Sequence, residues 1–329
     1  MDSFGSHMIN PFEEPSVLEQ IQKAGATFKV FPQIFQEKNQ LLTATSICDY
    51  GGQILVAQRL LSMKSGSVTE NWRQNSSCII ISELELDGLN LVPRKLVKWA
   101  RKAENISLED PRIFVYQGKL QIWAMAGKFV PPPTSIRQVI LTMNSDFEII
   151  DYRFPAFGRN GGLGYEKNWC PIIGTGMFVY KTNHEHVVID LDSNIVHSSK
   201  GLSWQYGDFH GGTQVITVNN QYMMILHSSL EVPHVMMKQE NLSARQYFVG
   251  AYTFEKTPPY RILQFTPEPI FSGSYQDMVL PGSPACIFVT GAMNSRRKDS
   301  VLLTMNINDC QSVIVDMPVS SILMKLKNF

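Results

Sequence analysis

Two carboxylates and a guanidinium stand side by side in Leu108–Arg112 (LEDPR), immediately before an apolar run. Pro111 biases Asp110 toward an extended backbone, which fixes the direction of its carboxylate. Arg112 can pair with Glu109 and hold Asp110 in place, or it can bind an anion through its planar fork of donors. The alternative is a solvated turn that carries a surface ion pair.

A second segment, Phe157–Pro171 (FGRNGGLGYEKNWCP), holds four glycines followed by Glu166, Lys167, Asn168 and Trp169. Glycines let a backbone approach a ligand closely or reverse tightly. An indole face beside charged and amide groups is suited to a sugar, which has C–H surfaces and hydroxyls. The alternative is an indole that covers one end of the fold, with the charges in water.

A third segment, Asp208–Thr213 (DFHGGT), precedes an apolar run that ends at His227. His210 and His227 therefore flank the two ends of one predicted strand pair. Together with Asp208 they could act as acid and base groups or bind an anion. The alternative is that both are structural histidines.

Two other motifs are interpreted as turns. His184-Glu185-His186 falls at a predicted hairpin turn, where we expect exposed side chains, and no third ligand for a metal is evident. Asp190-Leu191-Asp192 follows the same hairpin. The sequence contains no phosphate-binding loop, no dinucleotide-binding glycine motif and no GxSxG.

Strands must position these segments, because short apolar runs separated by Gly, Asn, Asp and Pro dominate the chain. One hairpin-like unit, in which two apolar runs flank a polar turn, recurs at Ile47–Gln58, Ile113–Met125, Met177–Ile189, Val215–Leu226 and Cys286–Met305. A second strand pair follows such units, as in Cys78–Leu91 and Val139–Ile150.

Two hairpins make a four-stranded sheet, and five such units predict an all-β, five-bladed β-propeller. A β-sandwich is the competing fold. The best amphipathic stretch, Pro15–Ala24, predicts one short N-terminal helix. Residues 1–8 (MDSFGSHM) resemble an expression-tag remnant, and residues 9–329 are expected to form a single propeller domain.

Composition narrows the function. The 329 residues are 44% hydrophobic, which excludes wholesale disorder, and 29 acidic residues balance 29 basic ones, which argues against a nucleic-acid partner. No apolar run is long enough to span a membrane. Five dispersed cysteines without a CxxC pair indicate reduced thiols and a cytoplasmic location, although a non-classical export route stays open.

The order of these motifs resembles glycoside hydrolase family 130, a family of five-bladed propellers that phosphorolyse, hydrolyse or transfer β-mannosides. Glu109–Arg112 is similar to the EDPR element of the second blade, and Glu166–Asn168 to a Glu-Lys element of the third. The segments His210–Thr213 and Met223–His227 resemble the glycine-rich entry and the following strand of the fourth blade. The later elements YFVGA and PEPI complete the resemblance, which runs from about Phe31 to the C-terminus.

The resemblance implies roles for individual residues. Asp110 matches the general acid, which in phosphorolytic members acts through a sugar hydroxyl, and Arg112 matches the arginine that braces it. Lys167 matches a phosphate-binding lysine, and His227 matches the histidine of the fourth inner strand. No metal or organic cofactor is implied, and inorganic phosphate is a possible co-substrate.

One departure leaves the nucleophile open, because Phe178-Val179-Tyr180 stands where phosphorolytic members have an anion-binding histidine. The leading hypothesis is an inverting enzyme that acts on a mannoside-like oligosaccharide or glycoconjugate, with Asp110 as acid. The nucleophile is then phosphate held by Lys167 or water held by Glu166. The substrate-binding candidates are Glu109, Arg112, Lys167, Asn168, Trp169, Asp208, His210 and His227. A glycosyltransferase that uses a sugar nucleotide or sugar phosphate, and a non-catalytic glycan- or protein-binding propeller, are the alternatives.

Overall fold

The structure, a computed structural model, describes residues 13–31, 40–62, 76–87, 90–97, 99–101, 104–127, 136–155, 168–231, 245–277 and 285–329. These residues form five antiparallel sheets, and the fold is a five-bladed β-propeller, as the sequence predicted. The predicted tag remnant, residues 1–8, lies outside the described residues.

The strands of blades 1, 2 and 3 follow one another along the chain. Blade 1 contains β2 (Gln40–Tyr50), β3 (Gln53–Ser62), β4 (Ser76–Glu85) and β5 (Asn90–Val97), and blade 2 contains β6 (Trp99–Arg101), β7 (Glu104–Tyr116), β8 (Lys119–Gly127), β9 (Ile136–Met143) and β10 (Ile149–Arg153). Blade 3 contains β11 (Cys170–Ile172), β12 (Met177–Lys181), β13 (Glu185–Asp190) and β14 (Ile195–Lys200).

Blade 4 contains β15 (Ile216–Val218), β16 (Gln221–Glu231), β17 (Arg245–Phe254) and β18 (Ile262–Phe265), with β19 (Phe271–Ser272) beside β17 and a 3-10 turn at Tyr275–Asp277. Blade 5 contains β20 (Ile287–Asn294), β21 (Ser300–Ile307) and β22 (Gln311–Pro318), which are followed by the helix α2 (Val319–Leu323) and by β23 (Lys327–Asn328) beside β18.

The N-terminal segment closes the ring. The predicted helix is present as α1 (Val17–Lys23), where Ser16 and Glu19 form a reciprocal capping box. The strand that follows, β1 (Thr27–Val30), pairs with β22 and supplies the fourth strand of blade 5. Strands from the two ends of the chain therefore complete one sheet, which covers an edge that would otherwise be open.

The hydrophobic core lies between neighbouring blades. Each of the five larger clusters of buried apolar residues joins one blade to the next around the ring. In the described residues no helix combines the length and the apolar character that a membrane crossing requires.

Near the axis, a buried glutamine links three blades to a fourth. Gln214, just before β15, donates from its side-chain nitrogen to the carbonyls of Ile47 and Ile113, and its side-chain oxygen accepts from the N–H of Ala292. Blades 1, 2 and 5 are therefore tied to blade 4 through one amide, which holds the C-terminal halves of β2, β7 and β20 together.

The structure corrects the predicted hairpin of the third blade. In blades 1, 4 and 5 the predicted hairpin contains the first two strands that follow one another along the chain, and in blade 2 it contains β7 and β8, which follow the three-residue β6. In blade 3, Met177–Ile189 contains β12 and β13, the second and third strands, and misses the first. The first strand is β11, which has only three residues and includes Pro171. A strand this short leaves too little alternation in the sequence to be recognised as an element.

Candidate active site

A β-bulge presents Asp110 midway along β7. We call upper the end of the ring at which β2, β7 and β20 begin. The pairing with β8 passes from Glu109 opposite Met125 to Arg112 opposite Trp123, so that two residues face one. Asp110 has φ of +47° rather than the extended backbone that the sequence predicted. The difference arises because the bulge turns the strand at this point, and bulges re-aim side chains in this way.

Glu109 points away from solvent toward blade 1. It is only 6% exposed, and its carboxylate forms an ion pair with Arg59 on β3. Burial raises the pKa of Glu109 to about 7, because the lowering by Arg59 only partly offsets burial and the neighbouring charges of Asp110 and Asp309 raise it further. The carboxyl group therefore titrates near neutral pH.

Asp309 brings a third carboxylate to the same place. It lies in the turn between β21 and β22 with φ of +54°, and it is exposed although many protein atoms lie close to it. Burial raises the pKa of Asp309, the charge of Asp110 raises it further, and Arg59 lowers it. Blades 1, 2 and 5 thus contribute to one electrostatic cluster, which we call the carboxylate cluster: Arg59, Glu109, Asp110 and Asp309.

The guanidinium of Arg112 is a brace inside the fold. Arg112 is 1% exposed, and its nitrogens donate to the carbonyl oxygens of Gly212 at 2.8 Å, Asp110 at 3.2 Å and Gly211 at 3.4 Å. It therefore ties the bulge of blade 2 to the glycine turn of blade 4. The contacts support a positioning role for Arg112 rather than direct contact with a ligand.

The glycine turn itself needs a residue without a side chain. A Cβ at Gly211 would lie 1.9 Å from the carbonyl oxygen of Asn168, far inside contact distance. Asn168, which is buried and has φ of +65°, therefore packs its backbone directly against this turn. The structure brings Asn168, the glycine turn and the Asp110 bulge together through backbone contacts.

The two predicted histidines also meet. The backbones of His210 and His227 exchange hydrogen bonds of 2.7 and 3.2 Å, and their ring centroids lie 5.6 Å apart. His210 is exposed, whereas His227 is buried between Tyr247, stacked at 6.2 Å, and Phe288, edge-on at 4.4 Å. The charge of Asp309 reaches Tyr247, so these rings adjoin the carboxylate cluster.

Comparison with known proteins rests on structure alone. No family model matches the sequence, and no curated protein matches it significantly. Among solved structures, a β-1,2-mannobiose phosphorylase from Listeria innocua, in complex with β-1,2-mannobiose, is similar at a TM-score of 0.63 and 13% identity, over 90% of this chain and 96% of that one.

Two proteins of Leishmania mexicana are similar as well. A mannose phosphorylase in complex with phosphate ion gives a TM-score of 0.57 at 11% identity, over 95% of this chain and 96% of that one. A GDP-Man-dependent mannosyltransferase gives 0.56 at 12% identity, over 92% and 95%. The chain therefore shares its propeller fold with these proteins.

Within this propeller, Trp169 lies in the core. It is 1% exposed, and its indole packs at 5.1 Å from Trp123 and 5.2 Å from Tyr180, between blades 2 and 3. The open aromatic face that the sequence suggested for a sugar is therefore covered by protein. Phe178 is buried in the same cluster, so the segment that departs from the family pattern belongs to the packing of the blades.

The three remaining candidates are Glu166, Lys167 and Asp208. Glu166 and Lys167 lie outside the described residues. Asp208 is exposed, and one of its carboxylate oxygens lies 4.0 Å from Nε2 of His184. Sequence reasoning missed Arg59 and Asp309: Arg59 follows a continuous apolar run, and Asn308-Asp309 has only the signature of a turn.

The His184–His186 prediction was half wrong. His184 is exposed at the turn, but His186, the second residue of β13, is fully buried. Its ring nitrogens lie 3.0 Å from the carbonyl oxygen of Tyr260 and 3.2 Å from the hydroxyl of Tyr252, and burial lowers the pKa of His186 to about 4. Among the described residues, no group of three His, Cys, Asp or Glu side chains is arranged to hold a metal.

Proposed function

We propose that this protein is a carbohydrate-active enzyme that breaks a mannoside-like glycosidic bond with inversion, and that Asp110 is its general acid. One observation carries the proposal: the bulge of β7 brings Asp110 beside the other carboxylates of the carboxylate cluster, in a propeller that is similar to that of a β-1,2-mannobiose phosphorylase. Paired carboxyl groups with different environments are the usual equipment of glycoside cleavage.

In the proposed reaction, the Asp110 carboxyl group donates a proton to the departing glycosidic oxygen, directly or through a sugar hydroxyl. The nucleophile attacks the anomeric carbon from the opposite face, which inverts its configuration. The nucleophile is inorganic phosphate bound by Lys167 or water activated by Glu166. Arg112 fixes the backbone of Asp110 and thereby the direction of its carboxyl group.

The sugar flanking the acid would be held by the other members of the cluster. The exposed carboxylate of Asp309 accepts hydrogen bonds from hydroxyls. The Arg59 guanidinium, which the buried Glu109 holds in place, donates to sugar oxygens. The Nε of Arg59 is buried and has no hydrogen-bond partner among the residues that the structure describes. Tyr247, which is partly exposed above the buried His227, offers a ring face to C–H surfaces.

Glycosyl transfer is the second candidate, and the similarity to the GDP-Man-dependent mannosyltransferase favours it. The same acid and the same sugar contacts would then serve a sugar nucleotide as donor. For either reaction we propose a cytoplasmic setting, with which the five free cysteines agree.

The test is turnover of β-1,2-mannobiose by the wild-type chain and by Asp110→Asn, with no addition, with inorganic phosphate, and with GDP-mannose plus mannose as acceptor. Free mannose without additions identifies hydrolysis, mannose 1-phosphate identifies phosphorolysis, and product that requires GDP-mannose identifies transfer. We expect Asp110→Asn to lose at least about 100-fold in kcat, in line with the contribution of a general acid.

Asp192→Asn is the matched control, because Asp192 is an exposed aspartate that pairs with Arg153 on the lower face. It should retain wild-type turnover. Full activity of a folded Asp110→Asn would refute the role of Asp110. Binding of the disaccharide without turnover under any of the three conditions would instead identify a glycan-binding propeller.

A further inference from the structure

The upper surface between blades 3 and 4 carries polar side chains that continue outward from the carboxylate cluster. Arg112 donates both to the carbonyl of Asp110 and to that of Gly211, so the glycine turn begins beside the acid. From Gly211 the chain runs outward through His210 to Asp208. Three residues of extended chain span about 10 Å, so Asp208 lies within reach of a glycan that extends from the acid.

Exposed and buried side chains alternate along this segment. His210 and Asp208 are exposed, whereas Phe209 between them is 3% exposed and stacks on Trp204 at 4.5 Å. In extended backbone, residues two apart point to the same side. The imidazole and the carboxylate therefore face the same open surface.

The scaffold beneath Asp208 is fixed. The side-chain amide of Asn183 donates to the carbonyl of Phe209 and accepts from its N–H, both at 2.6 Å. His184, the next residue along, has φ of +58° and exchanges backbone hydrogen bonds with Gly201 and Leu202. Two segments from different parts of the chain are thus joined at one point.

The result is an exposed but pre-positioned pair. Nε2 of His184 lies 4.0 Å from Oδ1 of Asp208, and each side chain is 74% exposed. A carboxylate accepts hydrogen bonds, and a neutral imidazole both donates and accepts, so together they match the adjacent hydroxyls of a sugar. Because the backbone is already ordered, the conformational entropy that binding costs there is confined to the two side chains.

We propose that His184 and Asp208 form an outer sugar subsite, which makes the preferred substrate a mannoside of at least three units rather than a disaccharide. The proposal rests on the proposed function, since it takes the Asp110 carboxyl group as the point of cleavage. His210 lies between the acid and the outer subsite and would contact the intervening sugar.

The experiment compares β-1,2-mannobiose with β-1,2-mannotriose by calorimetric binding to Asp110→Asn and by kcat/KM of the chain with Asp110 intact. We expect the trisaccharide to bind at least 10-fold more tightly than the disaccharide. Asp208→Asn and His184→Ala, each added to Asp110→Asn for the binding series, should reduce this ratio to about 2-fold or less. Asp192→Asn is the control and should keep the full ratio.

The outcomes separate the two proposals. Binding of the disaccharide with no gain for the trisaccharide, or a gain that both variants retain, overturns the outer subsite and leaves the proposed function standing. Failure of both sugars to bind or react overturns the proposed function together with the subsite. A uniform loss for both sugars in Asp208→Asn, with unchanged melting temperature, also overturns the outer subsite, because it places Asp208 at the inner sugar.

Discussion

Replacing the carboxyl group of Glu109 by an amide tests the electrostatics of the cluster directly. Glu109 is buried against Arg59 and lies beside two further carboxylates, Asp110 and Asp309, so its ionisation is opposed by its surroundings. Glu109→Gln keeps the shape of the side chain but removes the titration. The difference between wild type and variant, followed against pH, therefore isolates this one group.

The magnitude follows from the two pKa values. The pKa of Glu109 rises from an ordinary 4.5 to about 7 in the folded protein, which corresponds to about 3.4 kcal/mol at 1.36 kcal/mol per pKa unit. The folded state binds more protons than the unfolded state between these pH values, so the free energy of unfolding falls as pH rises. About 2.5 kcal/mol of this loss falls between pH 5 and pH 8.

The assay is urea unfolding of wild type and Glu109→Gln at intervals from pH 5 to pH 8. We expect the stability of wild type relative to the variant to fall by about 2.5 kcal/mol across this range. Glu148→Gln is the matched control, since it removes a carboxylate whose side chain is 60% exposed. A difference that stays constant with pH, or that grows in favour of wild type, would refute the reasoning that burial outweighs the Arg59 pair.

Two further substitutions test the frame around the site. His186→Phe removes a buried imidazole whose pKa falls from 6.5 to about 4, so the wild type should lose about 2.6 kcal/mol of stability relative to the variant between pH 6.5 and pH 4. Urea unfolding curves of the two proteins that shift in parallel with pH would contradict this. Gln214→Leu leaves the carbonyl of Ile47 and the N–H of Ala292 without their partner near the axis and should cost about 2–4 kcal/mol. Gln214→Glu should cost at least as much, because it places an acceptor-only carboxylate against the carbonyl oxygens of Ile47 and Ile113 at a buried position. Unchanged melting of Gln214→Leu would show that the amide is not the link between the blades.

The sequence predicted the blades because hairpins have a local signature. Alternating apolar runs around Gly51-Gly52, Gln117-Gly118 and Asn219-Asn220 mark tight turns, and the structure has positive φ at all six residues. The signature fails where a strand is very short, as in β11. The closing strand β1 could not be assigned to blade 5 from the sequence either, because its partner β22 is separated from it by nearly the whole chain.

The site was predictable only in part, for a related reason. The pair Asp110-Pro111 can be recognised in the sequence, because a proline interrupts a predicted strand and charged residues flank it. Arg59 and Asp309 carry no such mark: each becomes part of the site only because ring closure brings blades 1 and 5 beside blade 2. Trp169 shows the opposite failure, because a large ring beside polar residues in the sequence proved to fill the space between two blades.

Bulges explain why the carboxylate cluster forms at the upper end of the ring. The inner strands β2, β7 and β20 each contain one extra residue relative to the strand they pair with, at Ala44, at Asp110 and at Thr290. We call each of these bulges a slip, and each precedes the residue of its strand that contacts Gln214. Below the slips, hydrogen bonds to Gln214 hold the strands together.

Above the slips, the pleat of each strand is reset, so the side chains there need not follow the alternation that fills the core. Glu109 lies just above the slip of β7, and Arg59 pairs with Thr43, just above the slip of β2. The ring can therefore change the chemistry of its upper end without repacking its lower half. Of the three slips, only the one at Asp110-Pro111 contains a proline, so it is the one that the sequence indicates.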